Sequence, residues 1–272
     1  MSFIENISRR FVFAVLIVIV VIPLLFPFPL PVPVGQHARN YYNVIKSLEP
    51  RSVVLYGLEV STRDAENYPQ EVATLRQLKE QKAVVIFYNF FQTSSMGTIW
   101  GYEDAGYLEL KYGTDYVHLG FVPGEEATLA SFVLDMVGVK PVDHFQNPTT
   151  TMPIFQYVHT INDVDLVIGS GGGMPGPNSW AKLVIIPYNK LGLLAVTAGQ
   201  STTMYDYLRM GVYKGALLGQ RGCVEYETLI GQAGRATQLF APLYLAHIVL
   251  IGLMVATNVA FWYRLSKKGG KQ

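Results

Sequence analysis

The greatest concentration of conformationally free backbone is the run Gly169-Ser170-Gly171-Gly172-Gly173-Met174-Pro175-Gly176, directly after a segment that reads as a strand. Glycines let a chain approach a ligand closely, and successive exposed amides cradle an anion. In α/β sheets, ligands bind beyond the carboxyl ends of the strands. Ser170, Gly171, Gly172 and Gly173 are therefore the candidate ligand-binding residues. The run has neither the spacing of the dinucleotide fingerprint nor the lysine of the phosphate loop. Pro175 and Pro177 argue against a tight helix start immediately after it. The plainer alternative is a tightly turned surface loop, with Asp163 and Asp165 only capping or solvating the start of the strand.

Other reactive side chains give weaker patterns. Gly199-Gln200-Ser201-Thr202-Thr203 ends a strand and opens a helix, but the nucleophile elbow G-x-S-x-G is missing because Thr203 stands where glycine is required. Ser201 or Thr202 is expected to cap that helix instead. His118, His144 and His159 are scattered, without a histidine three or four residues away. A metal would need several of them to converge with Asp143, Asp163 or Glu103, and no zinc, EF-hand or haem-attachment motif is present, so no cofactor or metal is implied. The single Cys223 forms no intramolecular disulfide and reads as a small, semi-buried residue.

Small residues recur every fourth position in two places: Gly211, Gly215 and Gly219 in an expected helix from Thr202 to Gly219, and Gly252, Ala256 and Ala260 near the C-terminus. Such stripes let helices approach closely, which makes them candidate oligomerisation faces. His247 and Asn258 join them, because polar side chains in a hydrocarbon environment need hydrogen-bond partners, most naturally from another chain.

These residues are positioned by a chain of 272 residues that is 50% hydrophobic and 15% charged, with a net charge of +1. The low charge argues against a disordered chain, and the absence of a basic excess argues against nucleic acid as a partner. The apolar excess is concentrated at the ends. Phe11 to Val34 carries no charged or strongly polar side chain, and a run of that length reads as a membrane span. A helix is expected from about Ile7 to Phe26, followed by an extended exit imposed by Pro27, Pro29, Pro31 and Pro33. The rival reading is a cleaved signal peptide, disfavoured by the proline-filled exit. A second run, Leu239 to Tyr263, ends in Phe261, Trp262 and Tyr263 and is followed by Arg264, Lys267, Lys268 and Lys271. Aromatic residues settle at the headgroup level and basic clusters lie on the cytoplasmic side. With Arg9 and Arg10 before the first run, both termini are expected in the cytoplasm and the intervening domain outside it, with the lipid bilayer as a partner.

Three regions follow: an anchor and proline-rich exit (1–34), an extracytoplasmic domain (35–238), and a second span with a basic tail (239–272). Within the domain, apolar runs at Ser52–Val60, Ala83–Tyr88, Tyr116–Phe121, Val164–Ile168, Lys182–Tyr188 and Leu193–Ala198 read as strands, the last two as a hairpin around Asn189 to Gly192. Helical patterns occupy His37–Leu48, Tyr68–Lys82, with Val72, Leu75 and Leu78 as its buried stripe, and the stretch after Glu125, where Leu129, Phe132, Val133, Met136 and Val137 share one face. Asn89 to Asp115 carries no clear pattern. Continuous apolar strands alternating with helices indicate a sheet covered on both faces. The fold class is α/β: a Rossmann-like three-layer sandwich flanked by two transmembrane helices, with mixed strand direction near the hairpin. Three function classes fit, in this order. The first is a non-enzymatic assembly subunit that self-associates or joins other membrane proteins. The second is a ligand-binding or sensory module using the Gly169–Gly176 loop, and the third is a tethered hydrolase or transferase, for which no catalytic constellation is found.

Overall fold

The computed structural model describes residues 9–26, 28, 30–173 and 175–269, without the side chains of 9 and 263–269. Ile7, Met174 and Lys271, and the side chains of Arg9, Tyr263, Arg264, Lys267 and Lys268, lie outside the described residues. Residues 32–236 form one compact unit, and 1–31 together with 237–272 form another. The N-terminal helix is α1 (Arg9–Leu25), 17 residues long, which at 1.5 Å per residue rises about 26 Å, short of the roughly 30 Å of a bilayer core.

The 32–236 unit opens with α2 (Gln36–Lys46) and then alternates strands and helices: β1 (Val53–Glu59), α3 (Asn67–Glu80), β2 (Val84–Asn89), α4 (Ser94–Asp104), β3 (Tyr116–Phe121), α5 (Glu125–Phe132) and α6 (Met136–Val139). After a stretch of 3-10 turns come β4 (Leu166–Gly171), α7 (Pro177–Trp180), β5 (Leu191–Val196), α8 (Ala198–Arg209), β6 (Gly215–Leu218) and α9 (Gly219–Leu229). The six strands form one sheet in the order β3-β2-β1-β4-β5-β6. Every pairing is parallel, so the fold is an α/β, Rossmann-like one. The expected antiparallel hairpin is not there.

All seven residues of β1 are buried, as required of a central strand with helices on both sides. Val53 and Leu55 belong to a cluster with Phe132, Trp180, Val184 and Met204, drawn from α5, α7 with its continuation, and α8. Their neighbours Val54, Tyr56 and Leu58 are buried on the opposite face, where Tyr41 of α2 hydrogen-bonds Thr74 of α3 at 3.0 Å. The helices linking β1, β2 and β3 therefore cover one face and those linking β4, β5 and β6 the other.

Trp180 explains why the apolar run Lys182–Tyr188, which predicts a strand, is instead helical to Ile185 and then turns. Pro177 supplies a preset φ at the first helical position, and the helix continues as a π turn over Ala181–Ile185. Trp180, Ala181, Val184 and Ile185 are buried, a helical spacing that a short apolar run conceals. The indole crosses β1 so closely that a Cβ on Gly57 would lie 2.0 Å from Trp180 Nε1.

Other boundaries also shift. The expected helix after Glu125 breaks at Val133–Asp135, where Asp135 accepts from the Gly138 amide at 2.8 Å and starts α6. The patternless 89–115 segment contains α4, with Ser94, Ser95 and Thr98 buried. On α3 the apolar stripe is buried as expected, but so are Gln70, Glu71, Thr74 and Gln77, so this helix is enclosed nearly all round. The expected helix Thr202–Gly219 is α8, a turn, β6 and the start of α9.

At the C-terminus, α10 (Arg235–Gly269) is a single long helix. Among the described residues, one helix is long and apolar enough to cross a membrane by length and composition, Arg235–Trp262, 28 residues. Its first turn is capped by the buried Glu227 carboxylate, which accepts from the amides of Gly234 at 3.0 Å and Ala236 at 3.2 Å.

Candidate functional site at the sheet switch point

In this strand order the chain winds outward from β1 to β3 in one direction and from β4 to β6 in the other, so β1 and β4 flank the topological switch point. Loops leaving their carboxyl ends diverge and open a crevice there. The register pairs Leu58 with Ser170 and Glu59 with Gly171, which brings the glycine-rich run to that position.

The run is not uniformly available. Ser170 is fully buried, and alternation along the strand points its side chain to the same face as Ile168 and Leu166, away from the crevice. Gly171, at φ +99°, presses against β1, where a Cβ would lie 2.3 Å from the Glu59 carbonyl oxygen. Gly172 and Gly173 are the half-exposed pair, with the Gln200 side chain on one side (3.5 Å from a Cβ built on Gly172) and the Phe91 ring on the other (3.8 Å from one built on Gly173). A groove of about 410 Å³ opens nearby between Pro175 and the turn Gly124–Ala127. There Ser179 Oγ donates to Glu126 Oε1 at 2.6 Å.

The carboxyl of Glu59 sits beside this crevice and is only 6% exposed. Its oxygens accept from the backbone amides of Phe90 and Phe91. Burial outweighs these two bonds and pushes its pKa up to about 8, so near neutral pH the carboxyl is mainly protonated and uncharged. Glu59, Phe91 and Gln200 were not legible as site residues. The one available signal was a carboxylate at the end of the otherwise apolar run SVVLYGLEV.

The turn between β1 and α3 carries the glycine fingerprint in dinucleotide-binding sheets. Here residues 60–66 contain no glycine. Asp64 Oδ1 instead accepts from the amides of Glu66 and Asn67, both at 2.7 Å. Glu66 Oε2 accepts from the Ala198 amide at the start of α8, at 2.9 Å. A carboxylate of the chain itself, Asp64, thus occupies the helix start where a pyrophosphate would be held.

No family model matches the chain. Comparisons with curated proteins and with solved structures likewise return no match. Function therefore has to be read from the site itself.

Thr197, rather than Ser201 or Thr202, caps α8, its side chain accepting from the Gln200 amide; Ser201 Oγ donates to the Ala198 carbonyl at 2.6 Å. His118 is buried, and its Nε2 lies 3.0 Å from Asn89 Oδ1. His144 stacks on it with ring centroids 4.6 Å apart, an encounter their separation in sequence concealed. Asp163 accepts from the amides of His159 and Thr160, which hold its carboxyl below the usual range. No group of three or more potential metal ligands occurs among the described residues. Cys223 is wholly buried, its thiol pushed up by burial and by Glu227.

Gly211, Gly215 and Gly219 do not share a helix face. Gly211 follows the end of α8, Gly215 begins β6 and Gly219 turns into α9. A Cβ on Gly215 would lie 2.3 Å from the Tyr41 amide of α2, so that glycine is required inside the domain. Gly252, Ala256 and Ala260 do lie on one helix, α10, with nothing within 4 Å of a Cβ built on Gly252. The polar groups of that helix meet partners within it: His247 Nδ1 lies 2.7 Å from the Leu243 carbonyl, and Asn258 Nδ2 donates to the Met254 carbonyl at 2.8 Å.

Proposed function

We propose that the chain is a membrane-tethered binding protein whose 32–236 domain takes a small oxyanion-bearing molecule at the switch-point crevice. One observation carries this reading: the half-exposed backbone of Gly172 and Gly173 lies at the carboxyl end of β4, between Phe91 and Gln200. The neutral Glu59 beside it removes the repulsion that an ionised carboxylate would exert on an anion. The amides supply donors, Gln200 adds an adaptable side-chain amide, and Phe91 supplies an apolar wall. Tethering rests on the apolar stretches at both ends. The basic residues after the second stretch and before the first favour cytoplasmic termini and an extracytoplasmic domain.

Gly172 offers a clean probe, because a Cβ there meets only the flexible Gln200 side chain. In thermal-unfolding titrations of the full chain with acetate, succinate and inorganic phosphate, at least one is expected to raise the midpoint saturably. Gly172→Val is expected to abolish that shift while unfolding at nearly the parent midpoint. A shift that survives the substitution contradicts the site.

A second reading is favoured by the open surrounds of Gly252. Self-association through Gly252, Ala256 and Ala260 on α10 predicts a defined oligomer in detergent light scattering, reduced to a monomer by Gly252→Leu. A parent chain that is already monomeric removes this reading.

A further inference from the structure

We propose that the stacked imidazoles of His118 and His144 form an acid-sensitive latch, which holds the strap formed by residues 140–149 over the outer edge of β3. The strand order leaves β3 at the margin of the sheet, where unpaired amides and carbonyls invite another strand. The strap is closed on itself by Asp143 N to Asn147 O at 3.0 Å and Thr149 N to Pro141 O at 2.9 Å. The contacts that fasten it to its surroundings include His144 N to His118 O at 2.9 Å, Lys140 Nζ to Phe121 O at 3.2 Å, Tyr112 Oη to Asp143 Oδ2 at 2.6 Å, the Phe145 ring against Tyr112 at 5.6 Å, and the imidazole stack, inclined by 20°.

The surrounding hydrogen bonds fix the protonation state that the latch requires. Asn89 Nδ2 donates to the Leu58 carbonyl at 2.5 Å and to Thr98 Oγ1 at 3.0 Å. Its Oδ1 therefore faces His118, whose Nε2 must be the donor. The Nδ1 lone pair of His118 is left buried, with no donor to meet it. A proton added at Nδ1 would create a buried cation with an unpaired N–H, facing a second imidazole. The groups around the pair offer little compensation. Lys140 is a like charge, and the rings of Tyr102, Phe87 and Phe145 are edge-on or apolar. Asp143, which favours a charged His144, already accepts from Tyr112 and Asn147.

Burial, then His144 and Lys140, lower the pKa of His118 to about 3, and burial lowers that of His144 as well. Both groups take up protons more readily when the stack is opened. Latch stability is therefore complete above the ordinary histidine pKa of about 6.5 and is lost as pH falls from there towards 3. Opening would free the His118 carbonyl at the outer edge of β3, beside the Tyr116 carbonyl that stays paired with the Gly113 amide.

Hydrogen exchange of the full chain in micelles, corrected for intrinsic rates, tests the latch near pH 7.5 and near pH 5. Protection across 140–149 is expected to fall at least about tenfold at the lower pH while α3 keeps its protection. His144→Phe preserves an aromatic stack with one titrating ring fewer and is expected to lessen the loss of strap protection at the lower pH. Unchanged strap protection in the parent, an equal loss in His144→Phe, or simultaneous loss across α3 would each overturn the proposal.

Discussion

Gly171→Ala is expected to destabilise the 32–236 domain by at least about 3 kcal/mol, whereas Gly172→Ala changes its stability by less than about 1 kcal/mol. The two positions are adjacent in one glycine run and differ in backbone conformation and in what surrounds them. Gly171 has φ +99° and a Cβ there would lie 2.3 Å from a backbone oxygen of β1. That oxygen belongs to a paired central strand and cannot withdraw without breaking the β1–β4 ladder. At Gly172 the nearest atom is Gln200 Cγ at 3.5 Å, an ordinary contact. Urea denaturation of both variants, followed by tryptophan fluorescence, separates a glycine kept for packing from one kept for access. Equal losses at the two positions would mean that the run is a structural turn throughout.

Glu71→Met is expected to stabilise the domain by about 1–3 kcal/mol near neutral pH. The parent carboxyl is fully buried in α3, and neither oxygen has a hydrogen-bond partner. Burial, reinforced by Asp64 and Asp104, raises its pKa well above the usual carboxylate range. A neutral, unpartnered polar group in a packed interior carries its desolvation cost with nothing to offset it. A methionine of similar volume removes that cost. The pH dependence follows from the same shift. Glu59 and Glu71 both have folded pKa values above their unfolded ones, so between about pH 4.5 and the folded value the native state binds more protons. Stability should therefore fall as pH rises through that window, by up to about 1.4 kcal/mol per unit for each carboxyl. Below about pH 6.5, His118 acts in the opposite sense. Denaturation midpoints from pH 5 to 8 should slope downward in the parent and less steeply in Glu71→Met. Parallel slopes would show that Glu71 does not carry the dependence.

Much of the sheet could be read from composition along the chain, because central parallel strands are buried on both faces and appear as unbroken apolar runs. Val53–Glu59, Val84–Asn89, Tyr116–Phe121 and Leu191–Val196 all announce themselves in this way. The same rule failed at Lys182–Tyr188, where a buried helical turn is equally apolar and Pro177 starts the helix instead of preventing it. That single misreading also produced the false hairpin. The glycine stripe at 211, 215 and 219 failed for a related reason: a repeat of four has meaning only within one helix, and Gly215 opens a strand. At the site, the loop was visible but its partition into pinned and open glycines was not. That partition depends on β1 lying beside β4, a neighbour more than a hundred residues distant in sequence. Glu59 was hidden for the same reason, since its partners are amides that follow β2.

The most direct test of the binding site is an amide chemical-shift titration of the full chain in micelles with acetate, succinate and inorganic phosphate, following Gly172 and Gly173. Saturable shifts centred on those two amides, absent in Gly172→Val, are the expected result. Shifts that are unsaturable, or that lie elsewhere on the domain while these amides stay still, would contradict the switch-point crevice as the binding site.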